Sequence, residues 1–296
     1  SGMFAFALWD REKEQLSLVR DRIGEKPLYY GWQDGSFLFG SDLSALKSHI
    51  EFDAKIDRTA LASFIRYGYV PAPLSIYENI FKLTPGTILT LTKTNSRFEP
   101  GVLAVPVEFW SLEDCASSGL SQPFLGSDEA AIEELDKMLS DSVNQQLISD
   151  VPVGVFLSGG IDSTTIAAVM QSQSKSPINT FTIGFDEAAH NEAEHARAIS
   201  EHLGTCHHEL YVSADDALNI IPNLQAIYSE PFADSSQIPT YLVAQLAKKF
   251  VTVSLSGDGA DELFGGYNRY KFAEQYWPIV NRLPLFLRKR LLMAIQ

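Results

Sequence analysis

A chain of 296 residues, 45% hydrophobic and 20% charged, has enough apolar material for two domains with cores of their own. Its formal net charge of -14 speaks against a sequence-independent grip on nucleic acid, which needs clustered Lys and Arg; only 282–290 is locally basic, as the surface of a helix. Two cysteines without paired spacing, Cys115 and Cys206, fit a reducing cytosol, and no run of about eighteen apolar residues is present to span a membrane, so a cytoplasmic protein is expected.

The first hundred residues read as antiparallel β-structure. Short apolar or alternating runs at 3–9, 15–19, 27–30 and 37–39 are separated by the turn residues Asp10-Arg11, Gly24 and Asp34-Gly35. Helices are predicted over 42–48 and from Asp57, an N-cap, to about Arg66. The Pro-rich passage Val70-Pro71-Ala72-Pro73 and a strand over 87–91 follow. Between 110 and 126 Ser, Gly, Pro and Asp cluster without periodicity, which places a boundary between domains over 1–120 and 121–296. Ser127 then caps a helix with Ile132, Leu135, Leu139, Val143 and Leu147 on one face.

From Asp150 onward strands and helices alternate. Strands are predicted over 151–157, 179–184, 207–212 and 251–255, with helices after Asp162, over 192–203, near 215–228 and over 238–248. Asn191 and Glu194 form a capping pair for the second of these helices. This alternation predicts an α/β fold, a parallel doubly wound sheet with ligands bound beyond the carboxyl ends of its strands. Cys206, His207 and His208 lie on one strand, where neighbours face opposite ways, so packing is the expected role and not metal binding.

Two loops at strand ends carry the chemistry. In Ser158-Gly159-Gly160-Ile161-Asp162-Ser163 a glycine turn joins strand to helix, aiming backbone N–H groups and the positive end of a helix dipole at one point. Asp162 would repel a bare phosphate there, so a divalent cation is expected between it and a polyphosphate. The plain alternative is a turn that needs glycine only for its backbone angles; the flanking Ser, Asp and Ser favour a nucleotide. The second loop, 256–267, opens Ser256-Gly257-Asp258-Gly259-Ala260-Asp261-Glu262. An acidic loop alone is usually a solvated surface, but beside the first loop Asp162 and Asp261 are expected to hold Mg²⁺ against nucleotide phosphates. No Lys follows the first glycines, so this is not a Walker loop.

Ser-Gly-Gly-Ile-Asp-Ser resembles the signature of the PP-loop ATP pyrophosphatases, which are Rossmann-like. With Leu255 to Tyr267 the chain is similar to the glutamine-dependent asparagine synthetase family. Gly2 to Asp10 and Arg20 to Tyr30 resemble the later strands of that family's glutaminase domain, a partial antiparallel, β-rich domain of the N-terminal-nucleophile type. Tyr69 to Pro73 and Lys82 to Gly86 are similar to homologues linked to cell-surface polysaccharide synthesis.

The resemblance implies that ATP and Mg²⁺ activate an acceptor carboxylate, aspartate or a relative, as an acyl-adenylate, and that ammonia from glutamine displaces AMP. By position, Phe156, Leu157, Ser158, Gly159, Gly160, Asp162 and Ser163 line the phosphates, and Ile183 contacts adenine. Ser256 and Gly257 close over the nucleotide, and Asp162 and Asp261 bind the metal. Asp258 stands where asparagine-forming enzymes often carry Glu, at a position tied to adenylate formation, so the acceptor stays open. A homodimer is one assembly left open.

Two departures from the family bear on activity. Its glutaminase uses an N-terminal cysteine, whereas this chain begins Ser1-Gly2, and both its cysteines lie far from that end. The front half of the glutaminase domain and the last segments of the synthetase domain are expected to be missing, making the chain a fragment without glutaminase activity of its own. Two other readings stay open: another PP-loop enzyme acting on RNA, which needs a basic surface, and a non-catalytic nucleotide-binding paralogue.

Overall fold

The computed structural model describes residues 2–92, 105–185, 192–288 and 290, which fall into two compact units. Unit 1 is Ser1–Ile132 with Ala214–Ile238; unit 2 is Glu133–Ser213 with Pro239–Gln296. In chain order the elements begin with β1 (Ala5–Asp10), β2 (Gln15–Arg20), β3 (Tyr29–Gln33), β4 (Ser36–Gly40), α1 (Leu43–Lys47), α2 (Arg58–Tyr67), β5 (Ile80–Lys82) and β6 (Thr87–Thr92). Next come β7 (Val107–Glu108), α3 (Leu112–Ser121), α4 (Asp128–Gln146), β8 (Val153–Phe156), α5 (Ile161–Gln173), β9 (Asn179–Phe185), α6 (Ala193–Leu203) and β10 (Cys206–Val212). The last are α7 (Ala214–Ile220), α8 (Leu224–Ile227), α9 (Gln237–Ala247), β11 (Val253–Leu255), α10 (Ala260–Phe264) and α11 (Asn268–Asn281).

Unit 1 holds two antiparallel sheets, ordered β1-β2-β6-β7 and β4-β3-β5. β6 alternates buried and half-buried residues, the signature of a strand with one face on a core, and Leu89 and Leu91 pack there with Leu18, Leu28 and Leu83. Asp34 (φ 43°) and Gly35 (φ 85°) make the two-residue turn of the β3–β4 hairpin, in the left-handed conformation that matches strand twist. Asp57 caps α2 as expected, its Oδ1 accepting the N–H groups of Thr59 and Ala60, and the helix stops at Gly68 (φ 81°).

Local signals failed at three places. The stretch between 110 and 126 is not simply a linker: Ser111 accepts the Asp114 N–H and starts α3, a helix with no buried residue and therefore no apolar stripe to read. The helix expected near 215–228 is interrupted by a 3₁₀ turn, Ile221–Asn223, because Pro222 brings no N–H to an α-helix. In α4, capped by Ser127 as predicted, Val143 is buried but Ile132 remains 67% exposed, so the expected apolar face is only partly covered. The Asn191–Glu194 capping pair lies partly outside the described residues.

Asp21 organises the turn after β2. Its buried carboxylate accepts N–H groups from Phe4, Gly24, Glu25 and Lys26. Burial pushes its pKa up, but the four backbone donors together outweigh burial and hold it below the ordinary carboxylate value. A depressed folded-state pKa gives stability that is present above the unfolded value and lost as pH falls through the folded one. Acid titration of unfolding is therefore expected to show a loss in the wild type, below the usual carboxylate range, that Asp21→Asn lacks; equal slopes would contradict this account of the turn.

Segment 214–238 packs into unit 1 although the chain on either side of it belongs to unit 2. Ser229 Oγ donates to Asp42 Oδ1 at 2.7 Å and accepts the Leu43 N–H at 3.2 Å. Glu230 Oε1 accepts the Ile76 N–H at 2.8 Å, and Oε2 pairs with Lys82 Nζ. The Ala233 N–H closes the contact on the Gly68 carbonyl at 2.6 Å.

Unit 2 is built on a parallel sheet ordered β10-β9-β8-β11, as the alternation predicted. Val155, Leu157, Ala167, Met170 and Ala196 fill its core with Val143 and Leu255. On β10, His207 Nδ1 lies 2.8 Å from Thr180 Oγ1, and the His208 ring stacks on Phe250 and Phe181 at centroid distances of 3.8 and 5.2 Å. Burial lowers the pKa of both imidazoles, and both are packing residues at the amino end of the strand.

Candidate active site

β8 pairs with β9 on one side and β11 on the other, so the turns that leave β8 and β11 start from neighbouring strands at the carboxyl edge. The first turn is locked by geometry. Gly159 has φ 85°, and a Cβ there would come within 2.9 Å of His195 Cβ and 3.2 Å of the Ala196 nitrogen, so only glycine lets the turn rest on α6. α6 is itself held to the sheet by Arg197, whose guanidinium forks onto Glu209 at 2.8 and 2.5 Å and reaches the Tyr211 hydroxyl at 2.9 Å. Gly160 then starts α5 with no side-chain cap, so no capping side chain takes up the first-turn N–H groups, and Asp162 lies in that turn.

The second turn touches the first. A Cβ on Gly257 would lie 2.7 Å from the Ser163 nitrogen and 2.8 Å from the Asp162 carbonyl carbon, so the Gly257 backbone rests directly on the Asp162–Ser163 peptide. Ser256 Oγ accepts the Asp258 N–H at 3.4 Å, Asp258 is exposed, and Gly259 (φ 90°) caps α10. Asp261 lies in the first turn of α10, and its Oδ1 stands 1.6 Å from where a Gly266 Cβ would begin. The Asp261 carboxylate thus occupies the space a side chain at 266 would take, and would have to swing aside for one. Glu262 Oε1 accepts the Tyr267 hydroxyl at 2.7 Å and pushes that phenol up to about 12. The Arg269 guanidinium covers the Tyr267 ring at 4.2 Å.

The sequence-predicted residues thus divide by what they expose. Ser158, Gly160 and Asp258 are exposed, and Asp162, Ser256, Gly257 and Asp261 are half-buried around them. Ile183 is half-buried near the carboxyl end of β9, next to Gly184, whose Cβ would strike the Tyr211 ring at 2.7 Å. Leu157 differs from expectation: its side chain is fully buried in the core, so it offers a ligand backbone alone. Phe156 is half-buried against Phe181, Leu246 and Val251. The approach of Asp261 to Gly266 was missed because it depends on a neighbour's carboxylate, which no local pattern reports.

Asp162, Asp258 and Asp261 supply hard carboxylate oxygens, the ligand type Mg²⁺ takes. Among the described residues no three His, Cys, Asp or Glu side chains form a metal cage by themselves. Mg²⁺ is ordinarily held by one or two carboxylates with waters and substrate phosphates, so the donor set fits an ion that arrives with a nucleotide.

A parallel sheet with a glycine turn and an acidic turn in contact at its carboxyl edge makes unit 2 a Rossmann-like α/β domain, a class in which that edge is where ligands are usually bound. The asparagine synthase family model matches residues 134–295, and a glutamine amidotransferase domain model matches residues 1–100. The chain belongs to the asparagine synthase family. It is 35% identical over 291 residues to asparagine synthetase [glutamine-hydrolyzing] 1 of Bacillus subtilis, covering 98% of this chain and 43% of that protein. A Methanocaldococcus jannaschii protein provisionally named asparagine synthetase [glutamine-hydrolyzing] 2 is 38% identical over 297 residues, covering 97% of this chain and 54% of that protein. The chain therefore spans about half the length of these curated relatives. Among solved structures, NMN synthetase from Francisella tularensis superposes at a TM-score of 0.34 with 21% identity over 48% of this chain and 59% of that one, too slight a likeness to bear on the argument.

Proposed function

We propose that this chain carries the nucleotide-handling part of a glutamine-dependent, amide-forming synthetase. The supporting observation is the seat of Gly257 on the Asp162–Ser163 peptide, which joins the two turns into one surface rich in N–H donors and carboxylates. A carboxylate oxygen of the acceptor attacks the α-phosphorus of ATP, the bond to the bridging oxygen breaks, and pyrophosphate leaves. Ammonia then attacks the acyl carbon, AMP departs with the bonding electrons, and one proton is lost from nitrogen. The α5 N–H groups and the turn at 158–160 receive the leaving pyrophosphate. Asp162 and Asp261 would hold Mg²⁺, whose contribution when bound is neutralisation of phosphate charge.

Asp258 is exposed in the second turn, and we assign it to the acceptor or the adenylate. We assign glutamine handling to unit 1, whose residues 1–100 the amidotransferase model matches, and read the domains along the chain as 1–120 and 121–296, with 214–238 folded back onto the first. Both cysteines are free and exposed, and no helix among the described residues is long and apolar enough to cross a membrane, which fits a cytoplasmic setting. ATP–pyrophosphate exchange by the full-length protein with Mg²⁺ and aspartate tests the reading. Asp162→Asn is expected to slow exchange by about 100-fold or more, the usual cost of losing an electrostatic partner of the transition state. Exchange undiminished in that variant would overturn the assignment.

A further inference from the structure

The hydroxyl of Ser163 sits beneath the phosphate turn, not on its surface. The residue is 8% exposed, whereas Ser158 and Gly160 are exposed. Ser163 Oγ accepts the Ser158 N–H at 3.2 Å, lies 3.0 Å from Ser158 Oγ, and is 3.3 Å from the Gly160 carbonyl, to which it donates. One hydroxyl of α5 therefore touches both ends of the turn that precedes the helix. On its other side the Gly257 backbone presses against the Ser163 nitrogen, so Ser163 cannot move outward without displacing the second turn.

A hydroxyl offers one proton and two lone pairs, and these contacts already engage it. Ser158, by contrast, is an exposed residue; its Oγ receives the Gly160 N–H at 3.4 Å and, since Ser163 donates to Gly160, gives its own proton to Ser163 Oγ at 3.0 Å. We propose that Ser163 is a positioning residue: its hydroxyl ties the strand end to the helix start and fixes the turn in its donor-forward shape before any ligand arrives, leaving the exposed Ser158–Gly160 turn to meet the phosphate. The tie itself stands on these distances; its bearing on phosphate binding rests on the nucleotide reading above.

The test compares Ser163→Ala and Ser163→Thr with the wild type, reading amide hydrogen exchange without nucleotide and then calorimetric binding of magnesium pyrophosphate. In Ser163→Ala the Ser158 amide is expected to exchange roughly five- to tenfold faster, the scale of one net hydrogen bond, while β9 amides keep their protection and report an intact sheet. Ser163→Thr restores slow exchange because it keeps the oxygen. Pyrophosphate affinity falls with the alanine and returns with the threonine. An unchanged Ser158 amide in Ser163→Ala, or a threonine variant as fast as the alanine with β9 still protected, overturns the proposal. So does a loss of pyrophosphate affinity without faster exchange, the mark of direct contact. If the wild type binds no pyrophosphate, the nucleotide reading fails while the exchange data still decide the tie.

Discussion

Replacing Glu230 by alanine is expected to destabilise unit 1 by about 2 kcal/mol or more, between the small worth of a solvated bridge and the roughly 3–5 kcal/mol cost of breaking a fully buried one. The Lys82 and Glu230 side chains are only 16% and 9% exposed, so neither charge is well solvated once its partner is gone. The same change strips the Ile76 N–H of its acceptor. Lys82 keeps one other acceptor, the Val70 carbonyl, which carries no full charge. The double variant Lys82→Met, Glu230→Gln is expected to recover much of the loss, since it removes both charges and keeps an amide oxygen for Ile76. Urea denaturation checks both. A single-variant cost below about 1 kcal/mol would place the pair among solvated surface bridges and contradict the burial argument.

Gly257→Ala is expected to weaken magnesium–ATP binding by roughly tenfold or more, because overpacking of about 1–3 kcal/mol falls on the contact between the two turns. The new Cβ would meet the Ser163 nitrogen at 2.7 Å, the Asp162 carbonyl carbon at 2.8 Å and Asp162 Cβ at 3.0 Å. Two of these are backbone atoms in the first turn of a helix and cannot swing aside, so the turns must part. The overpacking itself costs roughly 1–3 kcal/mol, leaving the fold present for a binding measurement. Gly119→Ala is the control: nothing lies within 4 Å of its Cβ position, and alanine favours its helix, so stability is unchanged or slightly raised. Calorimetry that finds wild-type affinity in Gly257→Ala would show that the contact between the turns has no part in binding.

What could be read before the structure follows from how local each cause is. The Asp57 cap, the Asp34-Gly35 hairpin turn and the strand–turn–helix passage around 158–163 each depend on a few adjacent residues, and each formed as expected. α3 escaped because an exposed helix has no apolar period; its one signal was Ser111 three positions before Asp114. The return of 214–238 to unit 1 could not be read at all. It depends on Glu230 meeting Ile76, 154 positions away, and on Lys82, pairings that leave no mark on either segment alone. Within the candidate site, residue types at the turns were legible because glycine and aspartate are chemically distinctive. The roles of Ser163 and Gly266 were not, because burial beneath a turn and a neighbour's carboxylate are properties of three dimensions.

Two turns from neighbouring strands acting as one nucleotide surface should be perturbed together by a single bound nucleotide. Paramagnetic broadening by Mn²⁺–ATP, with Mn²⁺ standing in for Mg²⁺, addresses this directly. Amide signals of 158–163 and 256–261 should broaden together at low ion-to-protein ratio, while those of Cys206 and His207 at the opposite end of the sheet stay sharp. Broadening confined to one turn, or spread evenly over the acidic surface, would contradict the account.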